Sequence, residues 1–333
     1  NTSAGESAKI RRRREMRNNR KNIEAFYFEK KREDYRVEEE KRVEETGGKT
    51  LNALRVTGIS DFDLSHTFEC GQCFRWNREE DGSYTGVACG RAVNLQLDGG
   101  TLFIENSTRE EFEGFWYDYL DLGRDYGAVK KRLSGEDETM SRAVAFGNGI
   151  RLLRQDPWET VVSFLISQNS NIARIRRCID LLCRSFGEPI GFYRGEERFS
   201  FPQPESLAVL EPEDLSECRL GYRDKYVIQA ARAVAEDGGA ALLSMREKGC
   251  EEALDYVRSL YGVGPKVADC ILLFGLAKYG SFPLDVWMKR VMSQLYGFDP
   301  KDVKGMKAHA EKRFGDLGGF AQQYLFYYAK ENL

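Results

Sequence analysis

Leu254-Asp255-Tyr256-Val257-Arg258-Ser259-Leu260, then Tyr261-Gly262-Val263-Gly264-Pro265, then Lys266-Val267-Ala268-Asp269-Cys270-Ile271-Leu272-Leu273: the reading of the chain turns on this stretch. The first and third runs are amphipathic. The five residues between them leave room only for a tight hairpin joining two helices. Pro265 suits the first position of the second helix, where a missing N–H costs nothing. Gly262-Val263-Gly264 exposes backbone N–H groups at that helix start, which carries the positive pole of the helix dipole and suits a phosphate. Glycine also permits close approach by a second backbone. The hairpin therefore reads as a contact for a nucleic-acid backbone through Gly262, Val263 and Gly264.

Working outward, helical periodicity covers most of the C-terminal two-thirds. Residues 141–154, 158–186, 224–236, 251–260, 265–278, 285–297 and 320–330 read as helices separated by Gly and Pro. Phe112, Phe115, Trp116 and Tyr119 mark one helical face further upstream. Between 51 and 106 the pattern is β-like: Tyr84–Val87, Ala92–Leu97 and Thr101–Ile104 are short strands. Asp98-Gly99-Gly100 is a hairpin signal between the last two. The fold class is α+β: an N-terminal antiparallel sheet domain over residues 51–140, followed by a helical region over 141–333 that holds the hairpin. Residues 1–50 differ. Arg11-Arg12-Arg13-Arg14 precedes dense mixed charge through Glu45, and apolar residues are sparse. Such a segment buries too little to offset its ordering entropy. It reads as a disordered, solvated tail, with a nucleic-acid arm or a targeting signal as the alternative for the arginine run.

The formal net charge of −3 over 333 residues is unusual for a nucleic-acid partner, so any such contact must come from a local cluster or from backbone N–H groups. Eight cysteines lie scattered without a disulfide-framework rhythm, and no signal peptide or long apolar run occurs. The expectation is an intracellular, soluble, reduced monomer without membrane contact. The two histidines, His66 and His309, are far apart, which leaves a histidine-rich metal site or a Ser-His-Asp triad without support. Cys70 and Cys73 form a lone Cys-x-x-Cys near Cys89, with His66 as the single local fourth ligand, and no metal is assigned to them.

Gly262-Val263-Gly264-Pro265-Lys266-Val267-Ala268-Asp269-Cys270 followed by Pro283-Leu284-Asp285-Val286 resembles the helix-hairpin-helix DNA glycosylase superfamily, with its Gly/Pro-rich loop and aspartate. Five further matches resemble the 8-oxoguanine branch: Gly71-Gln72-Cys73-Phe74-Arg75-Trp76, Arg151-Leu152-Leu153-Arg154-Gln155-Asp156-Pro157, Asn169-Ser170-Asn171-Ile172-Ala173-Arg174-Ile175, Gly221-Tyr222-Arg223 and Ala321-Gln322-Gln323-Tyr324-Leu325-Phe326. They run in the family's order from about Leu51 to the C-terminus.

The resemblance implies a glycosylase with lyase activity on oxidised guanine in double-stranded DNA, working without a cofactor. It places Cys270 and Phe326 on the two faces of an extruded base, with Gln322 on its Watson–Crick edge. The Gly71 carbonyl would accept from the N7–H that only the oxidised purine carries. Asn169, Arg174, Tyr222 and Arg223 match the positions that fill the vacated gap and contact the orphaned cytosine, Tyr222 as the stacking wedge. Two features depart from the family. Trp287 stands where well-known members carry histidine, and the C-terminal region lacks the four spaced cysteines of the iron–sulfur branch.

The chemistry follows from the residues. Lys266 falls in a helix first turn, where the positive pole favours the uncharged amine that a nucleophile needs. Asp285, before Val286-Trp287-Met288, suits a helix N-cap, where an ionised carboxylate can stabilise positive charge developing on a sugar. Taken singly, Lys266 is a solvated surface lysine and Asp285 a cap. Together after this hairpin they read as nucleophile and electrostatic partner. Two alternatives stand beside this: a related glycosylase for alkylated bases, which Lys266 opposes, and a non-catalytic hairpin module that only binds DNA.

Overall fold

The computed structural model describes residues 34–43, 50–135 and 137–332. A six-stranded antiparallel sheet opens the fold. Its strands are β1 (Arg36–Val43), β2 (Thr50–Thr57), β3 (Trp76–Arg78), β4 (Tyr84–Ala88), β5 (Arg91–Asp98) and β6 (Thr101–Glu105), in spatial order β1-β2-β6-β5-β4-β3. The β5–β6 hairpin closes on Gly99 and Gly100, both at positive φ, with Asp98 paired to Thr101. This is the two-residue turn with positive φ at both central positions, which glycine adopts without strain. Gly86 of β4 has a different reason to lack a side chain: a Cβ there would lie 2.4 Å from the Trp76 indole, which fills that space. Trp76 stacks on Phe68 at 4.3 Å and packs edge-on to Trp116, and these rings anchor the sheet's own core with Leu54, Leu95 and Leu102.

β1 corrects the reading of residues 1–50 as one disordered tail. Residues 1–33 and 44–49 lie outside the described residues, but Arg36–Val43 pairs with β2 over its whole length. Its charges are those of an edge strand, where Lys, Arg and Glu discourage further strand addition. Tyr35 just before it is buried and donates to the Leu122 carbonyl at 2.8 Å.

Helices carry the rest. Pro157–Ile166 is buried on every face and forms the axis of the helical core. Around it pack Ile172–Phe186, Asp224–Ala235, Cys250–Ser259, Pro265–Cys270 with a π-turn over Ile271–Gly275, and Gly318–Asn332. Two expected helices are shorter than their patterns. The first, expected over 141–154, runs Glu138–Phe146 and stops at Gly147; residues 151–154 are non-helical, their backbone N–H groups bonded to Thr67, Tyr126, Gln72 and Tyr119 instead of to their own turn. The second, expected over 158–186, breaks between Ile166 and Ile172, where Asn169 adopts φ +48° and Asn171 caps the next helix. A small hairpin, β7 (Pro189–Tyr193) with β8 (Glu196–Phe199), and the helices Tyr126–Ser134 and Val303–Phe314 had no counterpart in the sequence reading. Among the described residues no helix is long and apolar enough to cross a membrane.

Candidate active site and nucleic-acid interface

The two helices of the decisive stretch are Cys250–Ser259 and Pro265–Cys270. Gly262 sits at φ +86°, and a Cβ there would stand 2.5 Å from the Tyr226 ring, so both backbone sign and space demand glycine. Pro265 is the first helical residue and Gly264 the N-cap, which brings no side chain to the first-turn N–H groups. Those groups therefore keep their capacity for an external acceptor.

One residue into that helix, Lys266 is half-buried, its ammonium 5.3 Å from the Phe164 ring centroid. One turn on, Cys270 is 3% exposed. Burial pushes its thiol up to about 11; the adjacent Lys266 charge and hydrogen bond pull against that, and the Asp285 carboxylate adds to it. Lys266 and Asp285 thus both act on the same sulfur. Asp285 is the N-cap of the helix Val286–Tyr296, as expected, and accepts the Met288 N–H at 2.7 Å. That bond fixes one carboxylate oxygen, and the half-buried side chain keeps its other oxygen for a neighbour.

The expected base-pocket residues converge in part. Gly71, at φ +80°, faces Phe326: a Cβ on it would lie 3.3 Å from the ring. Gln322 lies one turn before Phe326 and is 5% exposed, its side-chain oxygen accepting from Gln323 at 2.8 Å. The turn carrying Gly71 is held by Gln72, which had been quoted in its motif but given no role. The fully buried Gln72 amide donates to the Thr67 and Arg151 carbonyls at 2.8 and 2.7 Å and accepts the Leu153 N–H at 2.9 Å. Gln155 in turn donates to the Gln72 carbonyl at 2.7 Å. The buried Arg151 guanidinium donates to the Asp121 and Ser60 carbonyls, both at 2.7 Å. Neither burial nor φ is legible in the sequence, so the scaffold role of Gln72 emerges only from the fold.

The four residues expected at the opposite strand separate into two kinds. Tyr222, 51% exposed, and Asn169 and Arg174, both exposed, lie at the surface, Arg174 in the first turn of Ile172–Phe186. Arg223 does not. It is 3% exposed, donates through Nε to the Gln168 carbonyl at 2.8 Å, and reaches the Asn169 and Leu220 carbonyls at 2.9 and 3.0 Å. Its guanidinium also lies 4.5 Å from the centre of the Tyr222 ring. The sequence reading gave both arginines one task; the geometry divides them. Arg223 holds the loop that carries Asn169. Gln168, also unanticipated, ties that loop onward by donating to the Gly262 carbonyl at 3.2 Å. Trp287 is 45% exposed one residue beyond Val286, with the Arg290 guanidinium 5.6 Å from its ring. The Cys70 and Cys73 thiols are buried, Cys70 donating to the Thr67 carbonyl.

Comparison with known proteins agrees with this layout. Residues 56–161 match the family described as 8-oxoguanine DNA glycosylase, N-terminal domain, and residues 162–315 match the HhH-GPD superfamily of base excision DNA repair proteins. The N-glycosylase/DNA lyase OGG1 of Arabidopsis thaliana is 31% identical over 301 residues, covering 86% of this chain and 82% of its own. The 8-oxoguanine glycosylase/lyase of Clostridium acetobutylicum, solved with double-stranded DNA containing cytosine opposite 8-oxoguanine, is 39% identical with a TM-score of 0.82, covering 90% of this chain and 99% of its own. MBOgg1, solved with a low-affinity DNA ligand, is 47% identical with a TM-score of 0.82, covering 89% and 98%.

Proposed function

From the premise that the chain belongs to the 8-oxoguanine DNA glycosylase family of helix-hairpin-helix repair proteins, we infer that it is a base-excision-repair N-glycosylase and DNA lyase that removes 8-oxoguanine from duplex DNA opposite cytosine. What supports this reading is that Lys266, one residue into the helix that follows the hairpin, and Asp285, the N-cap of the helix Val286–Tyr296, both exert their charge on the buried Cys270 thiol.

In this reading the Lys266 amine attacks the deoxyribose C1′. The bond from C1′ to the base nitrogen breaks, and its electron pair leaves with the base, which takes up a proton. The ring oxygen then departs from C1′ with the bonding pair and takes up the second amine proton, as the nitrogen lone pair closes an imine with Lys266. The imine acidifies the C2′ proton; its loss sends the electron pair into a new C2′–C3′ double bond and expels the 3′ phosphate. Asp285, held by the Met288 N–H, offers a fixed negative charge to the sugar as it becomes cationic. A charge already oriented costs no reorganisation at that moment.

The extruded base is read between Cys270 and Phe326, as flipped bases commonly are. Gln322, oriented by Gln323, bonds its Watson–Crick edge, and the Gly71 carbonyl accepts the N7–H. Of the hairpin residues Gly262, Val263 and Gly264, the two glycines offer their backbone to a phosphate, while the Val263 N–H is given to the Leu260 carbonyl at 3.1 Å. On the opposite side Tyr222 enters the stack, Asn169 fills the gap, Arg174 donates to cytosine, and Arg223 keeps the Asn169 loop in place.

The test is incubation with a duplex holding one 8-oxoguanine opposite cytosine, with and without borohydride. Strand scission and a covalent adduct are expected. Release of 8-oxoguanine without an adduct would overturn the imine step, and binding without release would leave the alkylated-base glycosylase or the non-catalytic hairpin module.

A further inference from the structure

Three tyrosines from two distant segments form one continuous aromatic edge. Tyr222 and Tyr226 meet edge-to-face with centroids 5.7 Å apart and an interplanar angle of 79°. Tyr226 and Tyr261 meet the same way at 5.5 Å and 71°. The outer rings are open to solvent, Tyr222 at 51% and Tyr261 at 58%, while Tyr226 between them packs on the helical core. Tyr261 is the hairpin residue immediately before Gly262, and the Tyr226 ring occupies the space a Cβ on Gly262 would need. The Gln168 bond to the Gly262 carbonyl and the Arg223 bonds to the Gln168 and Asn169 carbonyls brace the same junction.

An exposed tyrosine whose one ring contact among the described residues, Tyr226, holds it edge-on at the hairpin is poorly explained by packing. Its ring face suits a base or a deoxyribose, since aromatic stacking tolerates any nucleotide. We propose that Tyr261 is a further DNA-contacting residue, and that Tyr226 is the positioning residue that fixes it to Tyr222, so that hairpin and wedge meet the duplex as one rigid edge. This rests on the glycosylase reading above. Tyr261 stacks on a nucleotide of the strand held at the hairpin. Tyr226 touches no DNA and acts through the two rings it separates.

The experiment uses the full chain and a duplex carrying a reduced abasic site opposite cytosine, with 2-aminopurine as the neighbouring base to report unstacking. Tyr261→Ala is expected to weaken binding about tenfold, the loss of one stacked nucleotide. The dependence of affinity on salt stays unchanged because no charge is lost, and Tyr261→Phe restores binding. Tyr226→Ala is expected to lower both affinity and the 2-aminopurine signal, and Tyr226→Phe to restore both. If Tyr226→Ala does not fold, Tyr261→Ala, with its exposed ring, carries the test. Wild-type affinity in Tyr261→Ala, in a chain that still gives the borohydride adduct, overturns this proposal alone. A wild-type chain that gives no adduct overturns the glycosylase reading beneath it.

Discussion

The two groups of residues that the proposed reading assigns to the damaged base and to the opposite base are built in contrasting ways. On the first, Lys266, Cys270, Asp285 and Gln322 are buried or half-buried, and each is fixed by a helix terminus, a helical turn or a neighbouring amide. On the second, Asn169, Arg174 and Tyr222 are exposed, and the fixed residue, Arg223, is spent on protein carbonyls. Bond-making gains from dipoles and charges that are already in place and shielded from water. Reading a partner base requires donors that stay solvated until the duplex arrives, so that specificity comes from what is left unpaired when the wrong base is present. The arrangement predicts that substitutions on the first side remove chemistry, while those on the second redistribute preference.

The largest effect belongs to Lys266→Gln. It should abolish base release and borohydride trapping while leaving affinity for damaged duplex in place, because the hairpin contacts are backbone groups. Normal trapping by this variant would remove the nucleophile assignment and with it one pole of the contrast. Asp285→Asn comes next. The amide oxygen still accepts the Met288 N–H, so the cap survives, but the charge is lost. Removal of such an electrostatic stabiliser lowers turnover by about a hundredfold or more, with little change in melting temperature. Single-turnover excision at wild-type speed would reduce Asp285 to a helix cap.

Arg223→Ala separates holding from reading. The Gln168, Asn169 and Leu220 carbonyls lose their donor; Leu220 is buried, and an acceptor left there without a partner costs roughly 1–3 kcal/mol. A lower melting temperature should accompany slower excision opposite every partner base. A variant of unchanged melting temperature and altered base preference would place Arg223 among the readers.

How far the sequence carried depends on how local each contact is. Lys266 and Cys270 are one turn apart, and Asp285 caps the helix that begins at the next residue, so both were legible from spacing. Asp98-Gly99-Gly100 likewise named its own turn. The holding role of Arg223 was not legible because two of its three carbonyl partners, Gln168 and Asn169, lie more than fifty residues upstream, and a guanidinium in a motif looks the same whether it faces DNA or a carbonyl. The break at residues 167–171 was hidden because the apolar periods on either side run on in phase. β1 was hidden for the opposite reason: an edge strand made of Arg, Glu and Lys with few apolar residues has the composition of a solvated tail, and only pairing with β2 gives it structure. The contact of Tyr226 with Gly262 joins segments that no local pattern connects.

The smallest and most discriminating effect concerns Arg174. Its backbone N–H is received by Asn171, and its exposed side chain leaves the guanidinium on the surface next to the Asn169 loop. Cytosine presents N3 and O2 as adjacent acceptors, and a guanidinium fork can donate to both. Adenine offers a donor at N6 beside a single acceptor, leaving guanidinium N–H groups unpaired in a partly desolvated gap. Each such donor costs roughly 1–3 kcal/mol, and about 1.4 kcal/mol is a factor of ten. Excision of 8-oxoguanine opposite cytosine should therefore exceed excision opposite adenine by at least about tenfold. Arg174→Ala should collapse that ratio more than it slows the reaction opposite cytosine, with no change in melting temperature, because among the described residues its guanidinium makes no hydrogen bond or ion pair. Single-turnover rates on duplexes with each of the four partner bases decide the matter. Equal wild-type rates would show that neither arginine reads the partner base. A preference that survives Arg174→Ala but falls with Arg223→Ala would mean that DNA binding pulls Arg223 away from its carbonyls, and the contrast between the holding and the reading arginine would reverse.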